Sequence, residues 1–293
     1  MLVVRRLGPY DSTRTVRHMK NRALAVFALF GNPVAHSLSP LMHNAAFQKM
    51  GIAASYGACC VEDLEEAIEK IKKLPLRGVS VTIPFKTAVM PYLDEIDASS
   101  QEIGAVNTIL HDDKDRLQGY NTDWIGMVRC LEESLEINKK TFAILGAGGT
   151  ARAAVFGIRQ RGGMPVIVNR TPERGERLAK EFGVPFYPLS QIKGISADCL
   201  INTTPVGMAP DRKKSPLAGD IIGRFQWVMD CIYNPLETQL LKKAEEAGRI
   251  VINGLGMFVH QGAEQIRIWT GKEPPVALMR EVVLARLKED HGN

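Results

Sequence analysis

The chain has 293 residues, of which 45% are hydrophobic and 24% charged; that is the balance of a globular protein long enough for about two domains and for a core without staples. No run of about 18 apolar residues occurs, so no membrane span is expected. The formal charge of +5 sits wholly in residues 1–22, where Arg5, Arg6, Arg14, Arg17, Lys20 and Arg22 face only Asp11; the remainder is neutral, which argues against a nucleic-acid surface.

The basic arm 1–22 reads either as a tail or as an organelle transit peptide, and it lacks the apolar stretch of a secretory signal. The five cysteines, Cys59, Cys60, Cys130, Cys199 and Cys231, show no metal-ligand spacing, so no metal is expected. They read as reduced thiols in a cytoplasmic compartment, with Cys199 in the core.

Strand-like and helix-like segments then alternate, which predicts an α/β fold. Strands are expected at 23–30, 55–60 and 78–83, with helices at 40–50 and 61–74 between them. In the second helix Asp63, Glu65 and Glu66 precede Lys70, Lys72 and Lys73, an order that suits the helix dipole. Strands at 105–110 and 117–120 flank a polar turn at 112–115, and a helix at 124–135 leads onward. Beyond it, strands at 142–145, 166–168, 200–201, 228–229 and 250–252 read as a parallel sheet, with helices at 151–161, 172–182 and 236–247. Helices at 257–269 and 276–288 close the chain.

Residues 142–151 read Phe-Ala-Ile-Leu-Gly-Ala-Gly-Gly-Thr-Ala. Gly146, Gly148 and Ala151 match the dinucleotide fingerprint, and the segment follows a strand and opens a helix, as that fingerprint requires. Gly146 permits the turn, Gly148 lets backbone approach a pyrophosphate, and Ala151 lets the helix pack closely. Ala147, Gly149 and Thr150 complete the phosphate loop, whose N–H groups suit an anion. The next strand ends Asn169-Arg170-Thr171, with Arg174 one turn on and no acid at the tip. Two arginines at a helix start oppose its dipole unless an anion sits there, so this reads as an NADP site rather than an NAD site; the plainer reading is a solvated helix start.

The first half carries polar groups at element ends. Ser37 and Ser39 precede a helix and suit a carboxylate, although Ser39 also fits a plain N-cap with Pro40 in the first turn. Thr82 and Lys86 follow a strand and face a cleft, although Lys86 alone reads as a surface lysine. Asn107 also fits a turn residue, and Asp123 a helix cap.

At these residues the chain resembles the shikimate dehydrogenase family. The likeness runs from about Leu24 to Glu281 on ordered motifs: Gly31-Asn32-Pro33, Ser37-Leu38-Ser39-Pro40, Val81-Thr82-Ile83-Pro84-Phe85-Lys86, Gly104-Ala105-Val106-Asn107-Thr108, Asn121-Thr122-Asp123, Asn202-Thr203-Thr204-Pro205, Asp230-Cys231-Ile232-Tyr233-Asn234-Pro235 and Asn253-Gly254-Leu255-Gly256-Met257. Gly262 departs from it, standing where the family usually has Ala. The resemblance implies a substrate domain at 23–123, completed by 257–293, and a Rossmann-like NADP domain at 124–256. It implies that Ser37, Ser39, Thr82, Asn107, Tyr233 and Gln261 bind shikimate, that Lys86 and Asp123 are the catalytic pair, and that Cys231 and Gly254 meet the nicotinamide end near Met257. The implied activity is reversible NADPH-dependent reduction of 3-dehydroshikimate, with Lys86 as the proton donor and His36 and His43 structural. The partner is then a small-molecule substrate, with no nucleic acid and no membrane, and a homodimer is left open. The rival readings are a quinate or aminoshikimate dehydrogenase and a non-catalytic NADP-binding regulator on the same fold.

Overall fold

The computed structural model describes residues 24–74, 76–209 and 211–289; the basic arm and its two readings lie outside them. The first half comprises β1 (Ala25–Gly31), α1 (Ser39–Lys49), β2 (Ala54–Cys60), α2 (Leu64–Lys73), β3 (Leu76–Val81), β4 (Glu95–Ile96), α3 (Ala98–Ile103), β5 (Thr108–His111) and β6 (Leu117–Tyr120). Its strands form a six-stranded sheet ordered β2-β1-β3-β5-β6-β4, in which β5 alone runs against its neighbours.

β1 is buried on both faces, as a central parallel strand must be. Phe27 and Leu29 join a cluster with Met42 and Phe47 of α1. Ala28 and Phe30 point the other way, toward Ala67, Ile68 and Ile71 of α2. The helix expected from Val61 begins three residues later. Val61 still bonds Gly31 across the sheet, and the Asp63 carboxylate accepts the Glu66 N–H at 3.1 Å as the cap.

The second half comprises α4 (Asp123–Glu132), β7 (Thr141–Leu145), α5 (Gly149–Gln160), β8 (Met164–Asn169), α6 (Pro172–Phe182), β9 (Phe186–Pro188), β10 (Cys199–Asn202), α7 (Gly219–Ile222), β11 (Trp227–Asp230), α8 (Gln239–Glu246) and β12 (Ile250–Ile252). Its strands pair in parallel throughout, in the order β12-β11-β10-β7-β8-β9. Counted along the chain, that is the doubly wound Rossmann order, with winding reversing between β7 and β10. Cys199 is fully buried in this sheet, as expected.

α9 (Leu255–Thr270) and α10 (Val276–Glu289) return to the first sheet. Val259, Ala263 and Ile266 of α9 and Met279 and Val283 of α10 pack under β1, and the Trp269 indole donates to the Ile109 carbonyl at 3.0 Å. The fold is therefore two-domain α/β, with α4 and α9 packed on each other between the sheets. Among the described residues no helix is long and apolar enough to cross a membrane.

Candidate active site

In an open α/β sheet a ligand crevice forms at the carboxyl ends of strands where winding reverses. The first sheet reverses between β1 and β3; the loops leaving these strands carry Ser37, Thr82 and Lys86, and Ser39 opens the helix that follows β1. In the second sheet the loops leaving β7 and β10 carry Gly146–Thr150 and Thr203–Thr204. The two crevices meet: a Cβ on Gly149 would lie 3.2 Å from Lys86 Cβ and Cδ.

Lys86 Nζ donates to Asp123 Oδ2 at 2.6 Å, with side chains only 14% and 6% exposed. A lone lysine at a strand end would reach solvent; this one is folded inward onto a carboxylate, so the surface reading of Lys86 fails. The second carboxylate oxygen, Asp123 Oδ1, accepts from Asn107 Nδ2 at 2.8 Å. Asn107 is buried, and its Oδ1 accepts the Thr122 N–H at 2.7 Å. Thr122, not Asp123, occupies the N-cap of α4, and Asp123 is its first residue. Asn121 Oδ1 takes the N–H groups of Asp123 at 3.0 Å and of Trp124 at 3.4 Å, and the Asp123 carboxylate turns to Lys86 and Asn107 instead of the helix end.

Ser39 likewise is not the cap of α1: Leu38 holds that position and Ser39 opens the helix. The Ser39 N–H donates to Ser37 Oγ at 3.2 Å, and the two hydroxyls lie 3.1 Å apart. The Leu38 N–H donates to Tyr233 Oη at 3.5 Å, and the Tyr233 ring stacks on Phe258 of α9 at 4.0 Å. Burial pushes the Tyr233 phenol up, so it stays a neutral donor. Thr82 is half-buried, its N–H bonded to Phe30 O. Gln261 donates to the Phe258 carbonyl of its own helix at 2.8 Å. His43 is buried beneath this end, with Nδ1 at 2.9 Å from Ser39 O and its ring stacked on Tyr56 at 4.2 Å; burial pushes it down to about 4. His36 is exposed, so the structural reading suits His43 and not His36. Sequence reasoning missed Tyr56, Ser80 and Gln265, three buried polar side chains that join the floor of this site.

The dinucleotide turn has the shape its glycines predicted. Gly146 has φ of +117°, and a Cβ there would lie 2.6 Å from Thr203 Oγ1, a hydroxyl bonded to Leu145 O. Gly148 is the N-cap of α5, with no side chain capping the helix, and a Cβ on it would meet nothing within 4 Å. Uncapped N–H groups therefore face open space, as an anion site requires. Ala147 packs partly against the core cluster that contains the fully buried Ala151, and Gly149 and Thr150 form the first turn of α5. Asn169 Nδ2 bonds Thr171 O at 2.8 Å and shapes the next turn. Arg170 and Arg174 are exposed beside it. These residues fit an adenine dinucleotide that carries a phosphate on its ribose.

At the far side of the crevice the Cys231 N–H bonds Asn202 O, and a Cβ on Gly254 would lie 2.4 Å from the Cys231 carbonyl. Met257 is buried next to them at the start of α9. Asp230 anchors this loop through Asn202, Thr238 and the Ile232 N–H, and burial pushes its carboxyl up to about 6.

Two family models match the chain: the shikimate dehydrogenase substrate binding domain over residues 29–109 and the shikimate 5'-dehydrogenase C-terminal domain over residues 254–284. The chain is 46% identical over 274 residues to the shikimate dehydrogenase (NADP(+)) of Geobacillus sp. (strain WCH70), covering 90% of this chain and 99% of that protein. It superimposes on a shikimate dehydrogenase crystallised with NADP+ at a TM-score of 0.85 and 42% identity, covering 92% of this chain and 98% of the other. Against the Thermus thermophilus shikimate 5-dehydrogenase, crystallised with NADP(H) and shikimate, the TM-score is 0.82 at 38% identity, with coverage of 90% and 99%. Identity and coverage of this extent, over both sheets and the helices that join them, show that the chain belongs to the shikimate dehydrogenase family.

Proposed function

We propose that this chain is an NADP-dependent shikimate dehydrogenase, which interconverts 3-dehydroshikimate and shikimate in aromatic amino acid biosynthesis. The observation that carries the reading is the buried Lys86–Asp123 pair at 2.6 Å, set where the two crevices meet. NADP, when bound, supplies or accepts the hydride. The chain must then manage one proton. In reduction the Lys86 ammonium delivers it to the oxygen that gains negative charge; in oxidation neutral Lys86 takes it from the ring hydroxyl, and Asp123 stabilises the ammonium that results. Asn107 holds Asp123 in place for this exchange.

Ser37, Ser39 and Tyr233 form the hydroxyl cluster suited to the substrate carboxylate, away from Lys86. Thr82, Asn107 and Gln261 are assigned to the ring hydroxyls, so that binding energy fixes which carbon faces the nicotinamide. Gly146–Thr150 are assigned to the pyrophosphate, Asn169, Arg170, Thr171 and Arg174 to the ribose phosphate, and Cys231 and Gly254 to the nicotinamide end. On this reading residues 23–123 with 257–293 form the substrate unit, and 124–256 the cofactor unit. A cytoplasmic compartment is proposed, supported by five unpaired cysteines, and light scattering decides between a monomer and the homodimer left open above.

The test is NADP reduction with shikimate, run beside quinate and beside NAD. Turnover with shikimate and NADP is expected, and Lys86→Ala should lower kcat by roughly a hundredfold or more, the usual share of a positioned acid or base. Tight NADP binding with no turnover of either substrate would replace the enzyme by a regulator.

A further inference from the structure

The floor of the site is a run of buried side chains, of which only Asn107 and Asp123 carry a role assigned above. It begins at Tyr56 of β2 and crosses β3, α9 and β5 before reaching Asp123. Tyr56 Oη donates to Ser80 Oγ at 2.6 Å, and Ser80 Oγ donates to Gln265 Oε1 at 2.9 Å. Gln265 Nε2 donates to Thr108 Oγ1 at 3.0 Å and to the Asn107 carbonyl at 3.2 Å. Thr108 Oγ1 donates to Asn107 Oδ1 at 2.8 Å, and Asn107 Nδ2 donates to Asp123 Oδ1. Tyr56, Ser80, Gln265, Thr108, Asn107 and Asp123 are each at most 4% exposed, so water does not substitute for any of these partners.

The direction of the run is forced. A backbone carbonyl only accepts, so the Gln265 amide must turn its NH2 toward Asn107 O, and its oxygen then faces Ser80. That NH2 occupies a lone pair of the Thr108 hydroxyl and leaves its proton for Asn107 Oδ1. The Thr122 N–H can only donate, so it holds Asn107 Oδ1 and turns Nδ2 toward Asp123 Oδ1 and Thr122 Oγ1, and the Thr108 hydroxyl adds a second donor that braces Oδ1. A flipped Asn107 would set an oxygen against the carboxylate. Ser80 and Thr108 are directly opposed across β3 and β5, so Gln265 straddles one register pair from the neighbouring helix.

We propose that Gln265 is a positioning residue: it clamps Asn107 at its backbone carbonyl and, through Thr108, at its side-chain oxygen, and through Asn107 it supports the carboxylate that holds Lys86. The proposal rests on the dehydrogenase reading above and adds to it a link from α9 to the proton-handling pair. Gln265→Glu keeps the shape and the acceptor toward Ser80 but removes the NH2 donor at neutral pH. Gln265→Met removes both polar groups.

The experiment is steady-state kinetics of shikimate oxidation on Gln265→Glu, Gln265→Met, Thr108→Val and the Gln265→Met/Thr108→Val double variant, with NADP affinity measured by fluorescence titration. Each single variant is expected to lose about tenfold in kcat with NADP affinity within about twofold, and the double variant to lose no more than either parent, because residues in one network do not add. Tyr56→Phe, which removes only the far donor and keeps the ring, should lose about threefold. A kcat within about twofold of wild type in both Gln265 variants, or losses that multiply to about a hundredfold in the double variant, would overturn the proposal, since independent packing effects add. A wild-type chain that fails to oxidise shikimate would instead sink the functional reading itself.

Discussion

Gly148 separates binding from folding more cleanly than any other residue of the cofactor crevice. Its φ of −98° is open to any L-residue, and a Cβ there meets no protein atom within 4 Å. Substitution by Val therefore fills only the space in front of the α5 N–H groups, where a pyrophosphate would lie. Gly148→Val is expected to keep thermal stability within about 1 kcal/mol, the range of an N-cap change, and to raise the NADP KM by at least about tenfold; denaturation melts and a cofactor titration check both. Gly146 is the contrasting case: its φ of +117° and its contact with Thr203 make any side chain a folding defect. Both glycines were legible in the sequence because the fingerprint is local. Lys86 and Asp123 were legible as polar groups at element ends, but their ion pair joins residues 37 apart. Gln265 was not legible at all: it sits at helical spacing on an amphipathic helix, and only the tertiary fold sets it against Ser80 and Thr108.

The elements that carry these residues meet at glycines. A Cβ on Gly126 of α4 would lie 2.7 Å from Met257 O and 3.0 Å from Gln261 N, both in the backbone of α9. Backbone cannot swing aside as a flexible side chain does, so Gly126→Ala must push α9 away from α4. Since α4 starts at Asp123 and α9 carries Gln261 and Gln265, the displacement reaches both ends of the site. We expect a loss of about 1–3 kcal/mol of stability, as for other overpacked contacts, read as a lower denaturant midpoint, together with a raised KM for shikimate. The sequence predicted both helices, at 124–135 and 257–269, within a few residues of where they lie. It missed α3, whose six residues, Ala98–Ile103, are too few to display a helical period, and β4 and β9, of two and three residues. Short elements of this kind are set by caps and neighbours: Asp97 accepts the N–H groups of Ser99 and Ser100 and starts α3. The shift of α1 and α4 by one residue has the same origin, since Ser37 Oγ and Asn121 Oδ1 take the N–H groups of Ser39 and Asp123 themselves and hold those residues in the first turn.

At the scale of the whole molecule, strand order is what turns two sheets into one site, and strand order cannot be read from local pattern. The alternation of strands and helices predicted an α/β fold with a parallel sheet in the second half; only the pairing of β1 with β3 and of β7 with β10 puts the crevices at their reversal points. The first sheet is then closed from below by α9, α10 and α1 around His43, which is fully buried among Phe47, Tyr56 and Trp269. Among the described residues His43 Nε2 makes no hydrogen bond, and the loss of solvation there outweighs the support that a protonated ring would draw from Ser39 O and the Gln265 side chain. Burial lowers its pKa from 6.5 to about 4. A folded-state pKa below the unfolded one means that the unfolded chain takes up the proton first as pH falls. The contribution is therefore fully present above pH about 6.5 and is lost progressively as pH falls toward about 4. His43→Gln removes the titrating group while keeping a polar side chain of similar reach for Ser39 O. Denaturant unfolding of both proteins at steps from pH 7 to pH 4 should show the variant less stable at neutral pH, with the gap to wild type narrowing through that window. A gap that stays constant with pH would mean that His43 is protonated as readily in the folded core as in the unfolded chain, and the acid sensitivity of the fold would then have to lie elsewhere.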